Sequence, residues 1–293
     1  MTEVATSDQL LVVIDPVARR TDGESVRIAK DVLSAGATTK VCLPDGPEEF
    51  ARALSRRGSR RPVVIGDDRA LLRTVALLHR QRELAGCALS VVPVGAAGVL
   101  SLTRSLGVPT GAVAAARAVL EGAERRLDLL VDDSDGVVVG AVRIPAIRGP
   151  AGAGEVVVGA EADASAHAHP WLRTCQSLVR TLAARPARGA RVTPVPGPGP
   201  SRLRVEVDGV TLVDLNQPVE AVTLTPGEAG GARVEVRPVS VGAEASPLGA
   251  VGRRVTVSGA DFRYRADAGV VSGPVRRRVW VVREGAWGLT LPG

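Results

Sequence analysis

Two glycine turns are the places where this sequence could bind an anion. Gly66 follows the β-branched run 63–65 and precedes a helical pattern, and Gly95 follows the apolar run 89–92. Two strands joined by one helix form a right-handed crossover unit, and ligands of open α/β sheets bind at the carboxyl ends of the strands. The spacing therefore predicts that Gly66 and Gly95 lie where a phosphate-bearing ligand would bind.

The residues after Gly66 allow two interpretations of this turn. Asp67 and Asp68 stand at the helix start, where carboxylates suit the helix dipole without any ligand. Facing a triphosphate, each would be repelled by about 4 kcal/mol at a separation of about 4 Å and an intermediate dielectric. A Mg²⁺ ion between Asp68 and the phosphates would reverse that sign, and Arg69 could contact a phosphate. The turn is therefore either a helix cap or a metal-bridged nucleotide site.

Strand and helix patterns alternate through residues 1–125. An apolar strand at 9–15 ends at Asp15-Pro16 and is followed by a loop, and a helix begins near Glu24. The central crossover unit and an alanine-rich helix complete the region. This alternation predicts an α/β domain over residues 1–125, with a parallel sheet flanked by helices.

From residue 126 the pattern changes to closely spaced strands and turns. The dipeptide Asp208-Gly209 between two apolar runs is the strongest hairpin signal in the sequence. A helical pattern at 172–182 and a stiff, proline-rich segment at 194–200 interrupt the strands. We predict a mainly antiparallel β-sandwich domain over residues 126–293, with the option that its last strands pack back against the first domain.

The composition limits the partners that the chain could have. The 293 residues carry a net charge of +6, and the aromatic residues are three Trp, two Phe and one Tyr. An excess of arginine fits either an arginine-rich proteome or an anionic partner. The arginine clusters have no interleaved aromatics, which single-strand nucleic-acid binders use to stack bases. A nucleic-acid partner is therefore not expected.

The sequence also allows a prediction of where in the cell the protein is located. No apolar run approaches the roughly 20 residues of a membrane span. The first residues lack both the basic and the apolar region of a signal peptide. We therefore expect a cytoplasmic protein, and peripheral contact with a membrane surface is compatible with its charge.

Three other groups of residues could bind a metal or form bonds. Asp132, Asp133 and Asp135 lie in one short turn but lack the later ligands of a calcium loop, so a solvated turn is favoured. His167 and His169 have no carboxylate or thiol nearby, which favours a surface loop. The cysteines are odd in number and far apart, as buried free thiols would be; they are Cys42, Cys87 and Cys175.

The order of several short motifs resembles that of the diacylglycerol kinase and bacterial lipid kinase family, within the NAD kinase-like superfamily. The family opens with an apolar strand and Asn-Pro, followed by G-G-D-G-T-L, P-x-G-T-G-N, L-G-I-P and D-G-E. The corresponding segments here are 12–16 (V-V-I-D-P), 66–71 (G-D-D-R-A-L), 93–98 (P-V-G-A-A-G), 106–109 (L-G-V-P) and 267–269 (D-A-G). The resemblance extends over nearly the whole chain.

The resemblance implies a fold, a reaction and a set of site residues. The family transfers a phosphoryl group from ATP to a lipid hydroxyl, with ATP in the cleft between two domains. The resemblance assigns Asp267 as the base that deprotonates the hydroxyl and Asp68 as the residue that meets Mg²⁺. The positions that fall on the nucleotide-binding motifs are Gly66, Asp67, Asp68, Arg69, Gly95 and Ala96.

Several of these positions depart from the family pattern. Asp67 replaces the second glycine, and Arg69 replaces the glycine before the threonine. A glycine turn binds an anion because its backbone N–H groups can approach closely, and side chains hinder that approach. Two hypotheses follow: a divergent lipid kinase that uses ATP and Mg²⁺, or a kinase-shaped protein without turnover and without cofactor, which binds a ligand or another protein. A homodimer through unpaired edge strands is compatible with either hypothesis.

Overall fold

Four parallel strands form the amino-terminal part of the sheet. In this computed structural model β1 (Gln9–Ile14) lies between β2 (Thr38–Cys42) and β3 (Arg61–Gly66), and β4 (Ala88–Pro93) pairs with β3. The structure describes residues 9–145, 200–227, 229–239, 246–267, 269 and 271–293, all of which belong to one compact unit. Beyond their first residues the inner strands are buried and mostly apolar, because helices cover both faces of this sheet.

The helices lie on both faces of the parallel strands. They are α1 (Pro16–Thr21), α2 (Gly23–Gly36), α3 (Pro47–Ser55), α4 (Asp68–Arg80), α5 (Ser101–Ser105) and α6 (Ala112–Glu121), with short 3₁₀ turns at Leu84–Gly86 and Ala97–Val99. α2 and α6 bury their apolar faces in one cluster, and α3 and α4 bury theirs in another. The buried face of α4 carries Leu71, Val75 and Leu78, as the sequence spacing predicts.

The predicted loop after Asp15 is wrong, since α1 begins at Pro16. The Asp15 carboxylate accepts the Val17 N–H at 2.8 Å and caps the helix, and Pro16 occupies the first helical position. Proline is favoured there because its missing N–H would have no partner in the helix. The sequence therefore carried both start signals of a short helix directly after the strand.

The remaining strands pair almost entirely in antiparallel fashion. They are β5 (Ala123–Asp132), β6 (Val137–Val138), β7 (Val142–Ile144), β8 (Ser201–Val207), β9 (Val210–Val213), β10 (Pro218–Pro226), β11 (Ala232–Pro238), β12 (Leu248–Gly252), β13 (Arg254–Ala266) and β14 (Val271–Leu291). The predicted hairpin at Asp208-Gly209 joins β8 to β9, and both turn residues have positive φ, as a tight two-residue turn requires.

The 21-residue strand β14 connects these two regions. Its first part pairs with β13, its middle and end pair with β5, and its end also pairs in parallel with β4 through Gly288 and Leu289. Trp280 of β14 lies in the core formed by the later strands, and Trp287 lies in the core beneath α4. Among the residues that the structure describes, all 14 strands therefore form one connected sheet.

Some expectations fall on residues outside the described ranges. These are the helix at 172–182, the proline-rich segment before residue 200, the histidine pair His167 and His169, and Cys175. Within the described ranges, no helix combines the length and the apolar character that crossing a bilayer requires.

Candidate functional site

The two predicted glycine turns lie side by side at the carboxyl ends of β3 and β4. Gly66 is opposite Pro93 in the sheet, and the Val94 N–H donates to the Gly66 carbonyl at 2.9 Å. A Cβ atom built on Gly95 would lie 3.7 Å from the Asp67 Cβ atom. The fold therefore brings Gly66, Asp67 and Gly95 into one small region, where the sequence predicted an anion site.

Side chains of the protein lie against the Cβ position of both glycines. A Cβ atom on Gly66 would lie 2.7 Å from the Ala70 Cβ atom and 3.0 Å from the Asp15 Cβ atom, which is too short for a residue with a side chain. One on Gly95 would lie 3.0 Å from a methyl group of Val99, and the φ of +150° at Gly95 disfavours any side chain. Packing at Gly66 and backbone conformation at Gly95 are therefore each sufficient to require glycine.

Asp67 caps the helix that begins at the first turn. Its carboxylate accepts the Ala70 N–H at 3.0 Å. Partial burial raises the pKa of this carboxyl group, the Ala70 hydrogen bond opposes the rise, and the nearby Asp15 carboxylate adds to it. A phosphate at this position would be repelled by the Asp67 carboxylate, whose negative charge is already disfavoured by burial.

Asp68 caps a different helix from its own. It is 2% exposed, and its two oxygens accept the N–H groups of Leu102 at 2.7 Å and Thr103 at 2.9 Å. The Ser101 hydroxyl donates to the same carboxylate at a longer 3.4 Å. These donors form the first turn of α5, so Asp68 ties α4 to α5. A helix cap was one of the two interpretations of Asp68 from the sequence, which could not show that the capped helix is α5.

The other two nucleotide-binding positions contribute little to an enclosed site. Arg69 is exposed on the first turn of α4. Ala96 is exposed at the start of a 3₁₀ turn, and its carbonyl accepts the Val99 N–H at 3.0 Å. Arg73 reaches the turn from one helical turn further on. It donates to the buried Asp15 carboxylate at 2.9 Å and lies over the Phe50 ring at 5.5 Å. Sequence reasoning missed Arg73 because only the fold places it beside Asp15.

Asp267 lies in a ring of backbone donors between β13 and β14. It has a positive φ of 50°, and its carboxylate accepts N–H groups from Val139 at 2.9 Å, Gly140 at 2.7 Å and Ala141 at 2.8 Å. Burial raises the pKa of the Asp267 carboxyl group, and these three donors oppose the rise. One oxygen accepts two of the bonds and the other accepts one, so a single acceptor position stays available.

Leu102 contacts one predicted functional carboxylate and packs beside a donor to the other. Its N–H donates to Asp68, and its side chain lies 2.8 Å from the position of a Cβ atom built on Gly140. The Gly140 N–H donates to the Asp267 carboxylate at 2.7 Å. The surroundings of Asp68 and Asp267 are therefore linked through Leu102 and Gly140.

Asp68 is poorly placed to bind a Mg²⁺ ion. Magnesium is usually bound through one or two carboxylates together with phosphate oxygens and water, and Asp68 is 2% exposed, with each oxygen accepting a short bond from α5. Across the described ranges, no three His, Cys, Asp or Glu side chains lie close enough to hold a metal ion. In the aspartate-rich turn after β5, Asp132 accepts the N–H groups of Ser134 and Gly136, as a turn residue does.

Four parallel strands continued by antiparallel strands, with glycine turns at the parallel edge and an aspartate after β13, define a kinase-type fold of the diacylglycerol kinase and NAD kinase kind. Solved structures bear this out. A diacylglycerol kinase from Bacillus anthracis str. Sterne superposes with a TM-score of 0.65 at 11% identity, covering 98% of this chain and 97% of that one. A second structure from the same organism gives a TM-score of 0.69 at 11% identity, with 98% of each chain covered.

A more distant likeness involves a nucleotide complex. An NAD kinase from Archaeoglobus fulgidus, solved with ATP, superposes with a TM-score of 0.53 at 13% identity and covers 96% of this chain and 93% of that one. No protein-family model and no curated protein matches the sequence. At these identities the likeness establishes the fold, and the chemistry has to be argued from the site.

Proposed function

We propose that this chain is a divergent protein of the diacylglycerol kinase type that has lost phosphoryl transfer and acts as a ligand-binding protein. One observation carries the proposal: the carboxylates that a kinase would use for metal and base are engaged by backbone N–H groups. Asp68 accepts two such bonds and Asp267 accepts three. Carboxylates used in this way stabilise loops and helix ends.

The filled turn supports the same proposal. A phosphate-binding turn needs backbone N–H groups that point into open space. Here Val99 and Ala70 occupy the space beside Gly95 and Gly66. Asp67, whose negative charge is already disfavoured by burial, adds repulsion toward an anion. Binding of ATP at this turn is therefore disfavoured by the Asp67 charge, and its phosphates would have to fit beside Val99, whose side chain is 38% exposed.

The whole-chain likeness supports the proposed ancestry and organisation. We propose an α/β domain at 1–125 and a β-sandwich domain at 126–293, arranged as in the diacylglycerol kinase fold, with β14 shared between them. The described strand path ends at β2 and β12, which are the strands where a homodimer could form by edge pairing. A lipid partner and contact with a membrane surface follow from the same ancestry.

An active lipid kinase is the second candidate, and Asp267 is the observation that favours it. Burial raises the pKa of its carboxyl group, which strengthens it as a base, and one acceptor position on its oxygens is not taken by the backbone. In that reaction Asp267 would accept the proton of a lipid hydroxyl while the hydroxyl oxygen forms the new bond to the γ-phosphorus of ATP. The bond from that phosphorus to the oxygen bridging it to the β-phosphate would break, and ADP would leave.

A labelled-ATP assay separates these two candidates. The protein is incubated with Mg²⁺, labelled ATP and vesicles containing diacylglycerol, and calorimetry measures ATP binding in parallel. We expect neither transfer of label to lipid nor saturable ATP binding. Transfer that disappears in Asp267→Asn, with the fold intact by circular dichroism, would instead establish the kinase. Saturable ATP binding without transfer of label would support the loss of turnover, and it would contradict the inference that this turn disfavours ATP.

A further inference from the structure

A cavity of about 500 Å³ lies at the end of α4 remote from the glycine turns. His79 and Arg82 border it near the carboxyl end of the helix, whereas Asp68 is the first helical residue. A helix of 13 residues is about 20 Å long, so this cavity is separate from the nucleotide-like turn. Its volume falls in the range of small-molecule sites in proteins.

The inner wall of the cavity is apolar. Leu84 of the 3₁₀ turn, Val131 of β5 and Val282 of β14 reach it with the small part of their surface that is exposed, and the more exposed Ala85 and Ala286 add to the apolar lining. Apolar surface at the base of a cavity is stabilised when a ligand displaces water from it. The wall therefore favours the hydrocarbon part of a ligand.

The opening of the cavity is rich in arginine. Arg82, Arg253 and Arg283 border it together with two carboxylates, Asp135 and Glu284. Arg82 contacts Asp135 at 3.5 Å, and Arg253 contacts Glu284 at 3.3 Å. The arginine side chains of these two pairs are 73% and 74% exposed, and such exposed pairs contribute little to stability. Both guanidinium groups can therefore turn toward a ligand at small cost.

Arg283 supplies the excess positive charge at this opening. It is exposed, and its attraction to the Asp135 carboxylate acts at long range. His79 also faces the opening and hydrogen-bonds Asp135 at 2.9 Å, which occupies that carboxylate further. The opening therefore carries three guanidinium groups and two carboxylates, and this excess of positive charge favours binding of an anion.

Hydrogen bonds between distant segments fix the walls of the cavity. The Arg126 guanidinium donates to the carbonyls of Ala85 at 3.1 Å and Gly285 at 2.6 Å, which ties the 3₁₀ turn to β14. The Asp128 carboxylate accepts the N–H groups of Gly230 and Gly285, each at 2.7 Å. A cavity held in this way is formed before the ligand arrives, which lowers the entropic cost of binding.

We propose that this cavity binds a single-chain amphiphile with an anionic head group, the chain against the apolar wall and the head group among the three arginines. This binding requires neither ATP nor the glycine turns. The amphiphile proposal can therefore be tested independently of the function proposed above.

Calorimetry with three short probes tests the proposal. Octyl phosphate carries both the chain and the anion, octanol carries the chain alone, and inorganic phosphate carries the anion alone. Below the micellar concentration of octyl phosphate, we expect saturable one-to-one binding of octyl phosphate and at least tenfold weaker binding of the other two probes. Equal affinity for octanol, or for inorganic phosphate, would overturn the proposal, as would non-saturable uptake of octyl phosphate.

Variants locate the binding. Arg283→Ala should weaken octyl phosphate binding about tenfold, equivalent to about 1.4 kcal/mol. Ala85→Phe places a ring at the mouth from an exposed position and should abolish binding. The matched control is Arg237→Ala, an exposed strand arginine paired with Glu235 at 3.1 Å and outside the cavity lining. Unchanged affinity in Arg283→Ala, or an equal loss in Arg237→Ala, would show that the cavity is not the site.

Discussion

At the residue scale, folding shifts the pKa values of two capping aspartates in opposite directions. Asp67 caps α4 and is partly buried, and burial raises the pKa of its carboxyl group. Asp22 caps α2 near the surface, and the Ser25 N–H lowers the pKa of its carboxyl group. Their contributions to stability must therefore change with pH in opposite directions.

The stability of Asp67→Asn relative to wild type should increase as pH rises. Because the folded-state pKa of Asp67 lies above its unfolded value of about 3.8, its contribution is fully present below that value and is lost as pH rises through the folded pKa. Asparagine retains the cap and does not titrate. The melting temperature of Asp67→Asn minus that of wild type should increase from pH 4 to pH 7.

Asp22→Asn serves as the control with the opposite sign. The folded-state pKa of Asp22 is lowered, so its contribution is present above the unfolded pKa and is lost as pH falls through the folded pKa. This variant should lose more stability at pH 7 than at pH 4. Parallel pH profiles for the two variants would contradict the assigned environment of Asp67.

At the element scale, the contact between α4 and α5 depends on one carboxylate. The five-residue helix α5 has no side-chain cap of its own, and Asp68 of α4 accepts its first N–H groups instead. Short helices depend on such partners because their first N–H groups cannot bond within the helix. The same contact sets the position of Leu102 against Gly140 and, through it, the surroundings of Asp267.

Asp68→Ala should destabilise the protein by about 3 kcal/mol, since two buried N–H groups lose their acceptor. Urea unfolding followed by circular dichroism measures the change. Ser101→Ala removes only the 3.4 Å hydroxyl contact to the same carboxylate and should cost less than about 1 kcal/mol. Wild-type stability in Asp68→Ala would mean that the carboxylate is free for another role, such as binding Mg²⁺.

At the scale of the whole molecule, β14 makes the two halves of the sheet interdependent. It contributes Trp280 to one core and Trp287 to another, and both side chains are fully buried. Separation of the halves would break the pairing of β14 with β4 or with β13. We therefore expect one cooperative unfolding transition, although two domains are proposed.

Single-tryptophan variants test this cooperativity. With Trp171 and one of the other two replaced by Phe, the fluorescence of Trp287 or of Trp280 reports one core at a time. The two urea transitions should have the same midpoint, as two-state unfolding requires. Midpoints that differ would show that the regions before and after residue 126 unfold independently.

Local patterns in the sequence determined much of this architecture. Apolar runs followed by helical spacing specified β3, α4 and β4, because side-chain periodicity and turn residues act over a few positions. Asp208-Gly209 specified its hairpin for the same reason. The positions of Gly66 and Gly95 at one sheet edge followed from the parallel direction of β3 and β4, whose carboxyl ends lie at the same edge.

Only the tertiary structure decided what these residues do. Asp68 lies 34 positions before Leu102, and Asp267 lies 127 positions after Gly140, yet these contacts engage both carboxylates. β14 meets β4 across 200 residues, and the arginine-bordered cavity is assembled from segments equally far apart. No local pattern encodes such contacts, because they depend on how the whole chain packs. The sequence could therefore place a candidate kinase turn, and the tertiary structure decided which backbone groups its carboxylates contact.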